Sequence, residues 1–78
     1  MEAIEPLIRK FLRSELGLDD RSIGNDTALV TTGIVDSVAL VRLAAVLERA
    51  TGLVIPDRDV TAEHFDTIDK ILAYVAAK

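Results

Sequence analysis

Apolar residues at Ile4, Leu7, Ile8, Phe11 and Leu12 recur at i, i+3, i+4, i+7 and i+8. That spacing draws one stripe along a helix, predicted over about Glu2 to Leu16. Pro6 has no N–H to donate, so it fits only in the first turn and sets the helix start near Ala3 to Glu5. Gly17 is the natural stop. The polar face mixes Glu and Arg, unlike the basic face of a membrane-surface helix, so the stripe is assigned to a core.

From Leu18 to Val35 the periodicity disappears. The stretch is polar at first, through Asp19, Asp20, Arg21, Ser22, Asn25 and Asp26, and apolar at Ala28-Leu29-Val30. It is long for a connection inside a compact domain. Ile23, Leu29 and Ile34 are expected to pin it to the helices. Asn25-Asp26-Thr27 matches a glycosylation acceptor pattern but is not preceded by a secretory signal, so it is taken as ordinary loop.

A second helical pattern covers about Asp36 to Ala50. Val38, Val41, Ala45 and Leu47 are expected to share one side, with Leu40, Leu43 and Ala44 widening the apolar surface. So much apolar surface cannot all enter one small core. Some of Val38, Ala39, Leu40 and Val46 must therefore stay exposed or face a partner. Thr51-Gly52 ends this helix. Leu53-Val54-Ile55 could pass for a strand, but nothing else in the chain offers it a convincing partner, and Pro56 and Asp57 break the run. A short third helix is expected over Asp59 to His64, with Val60 and Phe65 inward. Asp66 or Thr67 then caps a last helix whose stripe is Ile68, Ile71, Leu72 and Val75. The prediction is all-α: a single domain over residues 1–78, built as a small four-helix bundle of three main helices and one short one. No internal repeat or low-complexity segment interrupts it.

Composition narrows the core. Half of the 78 residues are hydrophobic, but only two Phe and one Tyr are aromatic. The core must be built from Leu, Ile, Val and Ala around Phe11, Phe65 and Tyr74. There is no cysteine, which removes disulfides, thiolate metal sites and a cysteine nucleophile. A net charge of −4 with no basic patch argues against nucleic acid. No apolar run is long enough to span a membrane, and charged residues interrupt the first segment as they would not in a signal peptide. A soluble, cytoplasmic protein is expected. Met1 and the short ends suggest that it stands free of any larger synthase.

Candidate chemistry gathers at Gly33-Ile34-Val35-Asp36-Ser37. Gly33 allows a positive φ ahead of the helix. The Asp36 carboxylate suits an N-cap. Ser37 then falls near the first helical position, beside unpaired N–H groups and the positive end of the helix dipole, where a phosphate ester on its oxygen is favoured. His64 is the only histidine and has no ligand-type neighbour to make a transition-metal site. It is expected at the surface or in polar packing. Asp57, Asp59 and Glu63 lack the glycine and ligand count of a calcium loop and are read as solvated carboxylates. No metal site is predicted. Ser37 and His64 could belong to a hydrolase only on paper, since no nucleophile-elbow pattern surrounds the serine.

Asp36-Ser37, followed by Val38, Leu40, Val41 and Leu43, resembles the Asp-Ser-Leu signature of acyl and peptidyl carrier proteins. The likeness extends over nearly the whole chain. It takes in the amphipathic first helix, the long loop, the Gly-x-x-Asp-Ser lead-in, Leu47 with Glu48, the turn at Gly52-Leu53-Val54-Ile55-Pro56-Asp57, Phe65, and the last helix with Ile68, Ile71, Leu72 and Tyr74. The resemblance implies an acyl carrier protein-like bundle that is not itself an enzyme. It implies 4′-phosphopantetheine on Ser37, taken from coenzyme A by a phosphopantetheinyl transferase, with cargo held on its thiol as a thioester. Asp36 matches the aspartate that assists the transferase. Partners would be acyl- or aminoacyl-loading ligases, synthases and transferases. They would meet the residues beside the serine, here Val38, Leu40, Val41 and Arg42, on a monomer. Two departures stand out. The second helix carries Arg42 and Arg49 against Glu48, where many fatty-acid carriers are strongly acidic, and Ile34-Val35 replaces the common Gly-Leu before Asp-Ser. Both favour a specialised carrier for polyketide, nonribosomal peptide, modified lipid or aminoacyl transfer at least as much as one for fatty-acid synthesis. The alternative is an unmodified helical interaction module that retains the carrier fold.

Overall fold

The computed structural model describes residues 4–78, apart from the side chain of Asp20. Four helices follow one another: α1 (Ile4–Leu16), α2 (Ser37–Thr51), α3 (Ala62–Phe65) and α4 (Ile68–Ala76). Single 3₁₀ turns lie at Asp20–Ser22 and Asp57–Asp59. No strand occurs among the described residues, and Leu53-Val54-Ile55 is irregular backbone. The predicted helix start at Glu2 or Ala3 falls outside the described residues. Pro6 does lie in the first turn of α1, where an N–H has no helical acceptor in any case.

α1 packs on α2 and α4, and α3 packs on α4. Ile4, Ile8, Phe11 and Leu12 of α1 enter the core, while Leu7 packs at its edge. At the end of α1, Gly17 takes a φ of 67°. The Gly17 N–H meets the Arg13 carbonyl and the Leu18 N–H reaches back to the Leu12 carbonyl. This glycine closure satisfies two carbonyls that would otherwise have no partner.

The connection from Gly17 to Asp36 is held at three points. Ile23, Leu29 and Val35 are buried in the core. Arg9 donates to the Ile23 carbonyl at 2.8 Å and to the Asn25 side chain at 2.6 Å. Asp66, at the end of α3, accepts the backbone N–H groups of Val30 and Thr31 at 2.9 Å, while its own carbonyl accepts the Leu29 N–H. The expectation for Ile34 fails. It is 37% exposed, and its neighbour Val35 is the buried anchor at 1%. The turn through Gly33 and the bond from the Val35 N–H to the Leu29 carbonyl aim Val35 inward, which turns the adjacent side chain out.

The face of α2 also differs from the sequence reading. The buried set is Ala39, Leu40, Leu43, Ala44 and Leu47, whereas Val38 and Val41 are 61% and 62% exposed and Ala45 lies outside. Positions 39, 43 and 47 fall on one line with 40 and 44 beside it. Val38, Val41 and Ala45 occupy the opposite side of the same helix. Of the expected stripe only Leu47 points inward.

The third helix is shorter and later than expected. Asp57–Asp59 forms its own turn, and Thr61 is extended (φ −140°, ψ 167°), so helix geometry resumes only at Ala62. Phe65 is buried as predicted and Val60 packs at the core edge. Thr67, not Asp66, caps α4 by accepting the Lys70 N–H at 3.0 Å. Ile68, Ile71 and Val75 are buried, Leu72 is partly buried, and Tyr74 joins the core. No polar or charged side chain is buried among the described residues. The bundle is therefore held by apolar burial, worth roughly 1.5–3 kcal/mol for each large side chain fully removed from water.

Candidate functional site

The start of α2 is built as its sequence implied. Gly33 adopts φ 82°, a left-handed conformation that costs glycine nothing. Asp36 is extended (φ −80°, ψ 179°), and its carboxylate accepts the Ala39 N–H at 2.9 Å. Its carbonyl accepts the Leu40 N–H at 2.8 Å. The side chain thus satisfies one orphan donor of the first turn, and the carbonyl accepts the first intrahelical bond. Among the described residues nothing accepts from the N–H groups of Ser37 and Val38. Ser37 is exposed at the first helical position, and the first turn contains no acidic side chain. Its hydroxyl sits beside two open amides and the positive end of a helix of 15 residues. An anion on that oxygen is electrostatically favoured there.

Beside Ser37 runs a groove of about 370 Å³, open to solvent along one side. The α2 wall consists of Ser37, Leu40, Val41, Ala44, Ala45 and Glu48, and the opposite wall of Ile55, Asp57 and Val60. Glu48 is not a free charge, because its carboxylate accepts the Ile55 N–H at 2.7 Å and fastens the two walls at their far end. On the other flank of α2, Arg42 lies 3.5 Å from Glu15, with both side chains well exposed. Such a pair contributes little to stability and leaves Arg42 available at the surface.

The residues expected to meet a partner therefore separate. Val38, Val41 and Arg42 are exposed on α2 next to Ser37, but Leu40 is only 5% exposed. Leu40 belongs to the core face and can be reached only through the groove that it lines. His64 is not among the residues that line the groove with Ser37. Its ring packs instead against Tyr74, with centroids 5.0 Å apart. Asp59 departs from the picture of a solvated carboxylate. It accepts the Tyr74 hydroxyl at 2.7 Å and lies 3.6 Å from the Lys78 ammonium. The Tyr74 bond, aided by Lys78, outweighs partial desolvation and holds the Asp59 carboxyl below its ordinary value. Desolvation, reinforced by the nearby carboxylate, raises the Tyr74 phenol. Periodicity gave no sign of this pairing, because it joins a turn to a helix through two side-chain tips.

A family model described as a phosphopantetheine attachment site matches residues 6–75, from the first turn of α1 to the last turn of α4. Proteins of this family carry 4′-phosphopantetheine as a covalent group. Their carrier domains are not themselves catalytic and work with phosphopantetheinyl transferases and biosynthetic enzymes. The site fits such a group, with an exposed hydroxyl, open amides for a phosphodiester and a largely apolar groove alongside. With that match across nearly its whole length and an all-helical bundle beneath it, the chain belongs to the phosphopantetheine-binding family of acyl and peptidyl carrier proteins.

Proposed function

We propose that Ser37 is the attachment residue and that the chain is a monomeric carrier working in the cytoplasm. It would deliver acyl, aminoacyl or peptidyl cargo in fatty-acid, polyketide, nonribosomal peptide or related biosynthesis. The observation that carries this reading is the placement of Ser37. Its hydroxyl is exposed, adjoins a capped helix start with two open amides, and opens onto the groove. When attached, the group supplies a thiol that holds cargo as a thioester.

Loading is a phosphoryl-centre substitution. The Ser37 Oγ attacks the β-phosphorus of coenzyme A, a new P–O bond forms, and the bond to the 3′,5′-bisphosphorylated adenosine breaks. The transferase supplies magnesium and the base that takes the serine proton. The chain needs no base of its own. Asp36 keeps the first turn in place, and the open Ser37 and Val38 amides would be the donors nearest a phosphodiester on Ser37. Val38, Val41 and Arg42 form the exposed ridge against which transferase and cargo enzymes dock, while Leu40 and Ala44 line the groove for the arm or its cargo.

Purified protein incubated with coenzyme A, magnesium and a broad-specificity phosphopantetheinyl transferase is expected to gain one phosphopantetheine by intact mass. Ser37→Ala is expected to gain none. If the wild type stays unmodified while a control carrier is loaded, the attachment reading fails and the unmodified interaction module takes its place.

A further inference from the structure

The two walls of the groove are held in different ways. The α2 wall is part of a capped helix whose inner face is buried. The opposite wall runs from Ile55 through the turn at Asp57–Asp59 to Val60. Its Ile55 end, far from Ser37, is tied to Glu48. Beyond Ile55 the backbone bonds stay within the turn: Asp59 to Pro56, Val60 to Asp57 and Thr61 to Asp59. Among the described residues, the polar ties from Pro56–Asp59 to the rest of the bundle run to α4 and the residues after it, from Asp59 to Tyr74 and Lys78. The Tyr74 hydroxyl bond is the short one, at 2.7 Å. The Tyr74 ring is anchored independently, against Phe65 at 5.5 Å and His64 at 5.0 Å, with Lys78 5.0 Å over its face. A fixed ring thus holds the turn by one hydrogen bond, and the two residues flanking Asp59 at one remove or less, Asp57 and Val60, line the groove.

We propose that Tyr74, through its hydrogen bond to Asp59, is a positioning residue that limits how far the outer wall of the groove opens, and so how long a chain tethered at Ser37 the groove shelters. The proposal rests on Ser37 carrying the arm. Tyr74→Phe removes the bond and leaves the ring contacts. Asp59→Asn keeps an acceptor for the hydroxyl but removes the charge that faces Lys78 and Arg58. Asp59→Ala removes both.

The test loads wild type and variants with acetyl-, hexanoyl- and dodecanoyl-phosphopantetheine from the corresponding coenzyme A thioesters. Each thioester is then cleaved by hydroxylamine, which forms the hydroxamate and frees the thiol. The acetyl form is expected to react equally in all chains. The dodecanoyl form is expected to react several-fold more slowly in Tyr74→Phe and Asp59→Ala than in wild type, with Asp59→Asn near wild type. On the unmodified chains, amide exchange at Val60 and Thr61 should be several-fold faster in Tyr74→Phe. The Leu43 and Leu47 amides and the helical circular dichroism should be unchanged, showing that the fold is intact. Loading with an unchanged chain-length profile overturns the proposal alone, as does Asp59→Asn behaving like Tyr74→Phe. Failure of every chain to load marks the failure of the Ser37 reading and takes this proposal with it.

Discussion

The two walls beside Ser37 are made by different kinds of rule. The α2 wall is local. A cap at Asp36, a glycine stop at Gly52 and apolar residues repeating every three or four positions build it from neighbours in sequence. The outer wall from Ile55 to Val60 has no regular repeat. Ile55 is buried and Val60 packs at the core edge, and across the fold the wall's polar ties run from Ile55 to Glu48 and from Asp59 to Tyr74 and Lys78. The difference also shows where stability and function separate. The inner face of α2 is buried in the core, its outer ridge of Val38 and Val41 is surplus to the core, and the outer wall is anchored in the core only through Ile55 and, in part, Val60.

The strongest challenge to this contrast is to remove a buried residue from the local wall. Leu47 is completely buried on α2. Leu47→Ala is expected to cost about 2–5 kcal/mol in denaturant unfolding, enough to leave so small a domain marginal. A cost near zero would mean that α2 is not anchored by its inner face. Removing the cap should cost less. Asp36→Ala is expected to lose about 1 kcal/mol and to speed amide exchange at Ala39, whose N–H loses its acceptor. Equal exchange in the two proteins would remove Asp36 from that role.

Smallest is an effect of pH on the long connection. The Thr31 N–H, with those of Val30 and Leu29 and the Thr31 hydroxyl, outweighs desolvation and holds the Asp66 carboxyl below its ordinary value. The folded state therefore binds this proton less readily than the unfolded chain. Its stabilising contribution is present above the unfolded carboxylate pKa of about 4 and is lost as pH falls through the lower folded value. Wild type should lose stability on acidification over that window, and Asp66→Asn should show a shallower decline along with lower stability at neutral pH. Parallel curves for the two proteins would show that Asp66 is not a source of the acid sensitivity. Asp59 has the same sign and adds to the wild-type slope.

Much of this was legible beforehand because it is local. The stripe of α1, the Gly17 stop, the Asp36 cap, the exposed Ser37 and the Thr67 alternative for α4 all follow from contacts within a turn or two. The errors share one cause. Ile34 and Val35 are both apolar, so the pattern could not choose which one a bend turns inward. α2 carries apolar residues on its outer side as well, among Arg42 and Arg49, so the pattern alone does not single out the inward stripe, and Val38 and Val41 lie on the outer face. Asp59 looked like any surface carboxylate, because nothing in its neighbourhood in sequence points to a tyrosine in the last helix.

By itself the sequence determined an all-helical bundle, the capped start of α2 and the serine displayed on it, since propensity, capping and periodicity act over a few residues. Tertiary structure alone decided which side of α2 enters the core, which loop residue anchors, and that Glu48 and Tyr74 hold the outer wall of the groove. Those outcomes depend on which distant groups come within hydrogen-bonding or van der Waals reach once the helices have packed, and linear spacing carries no record of that.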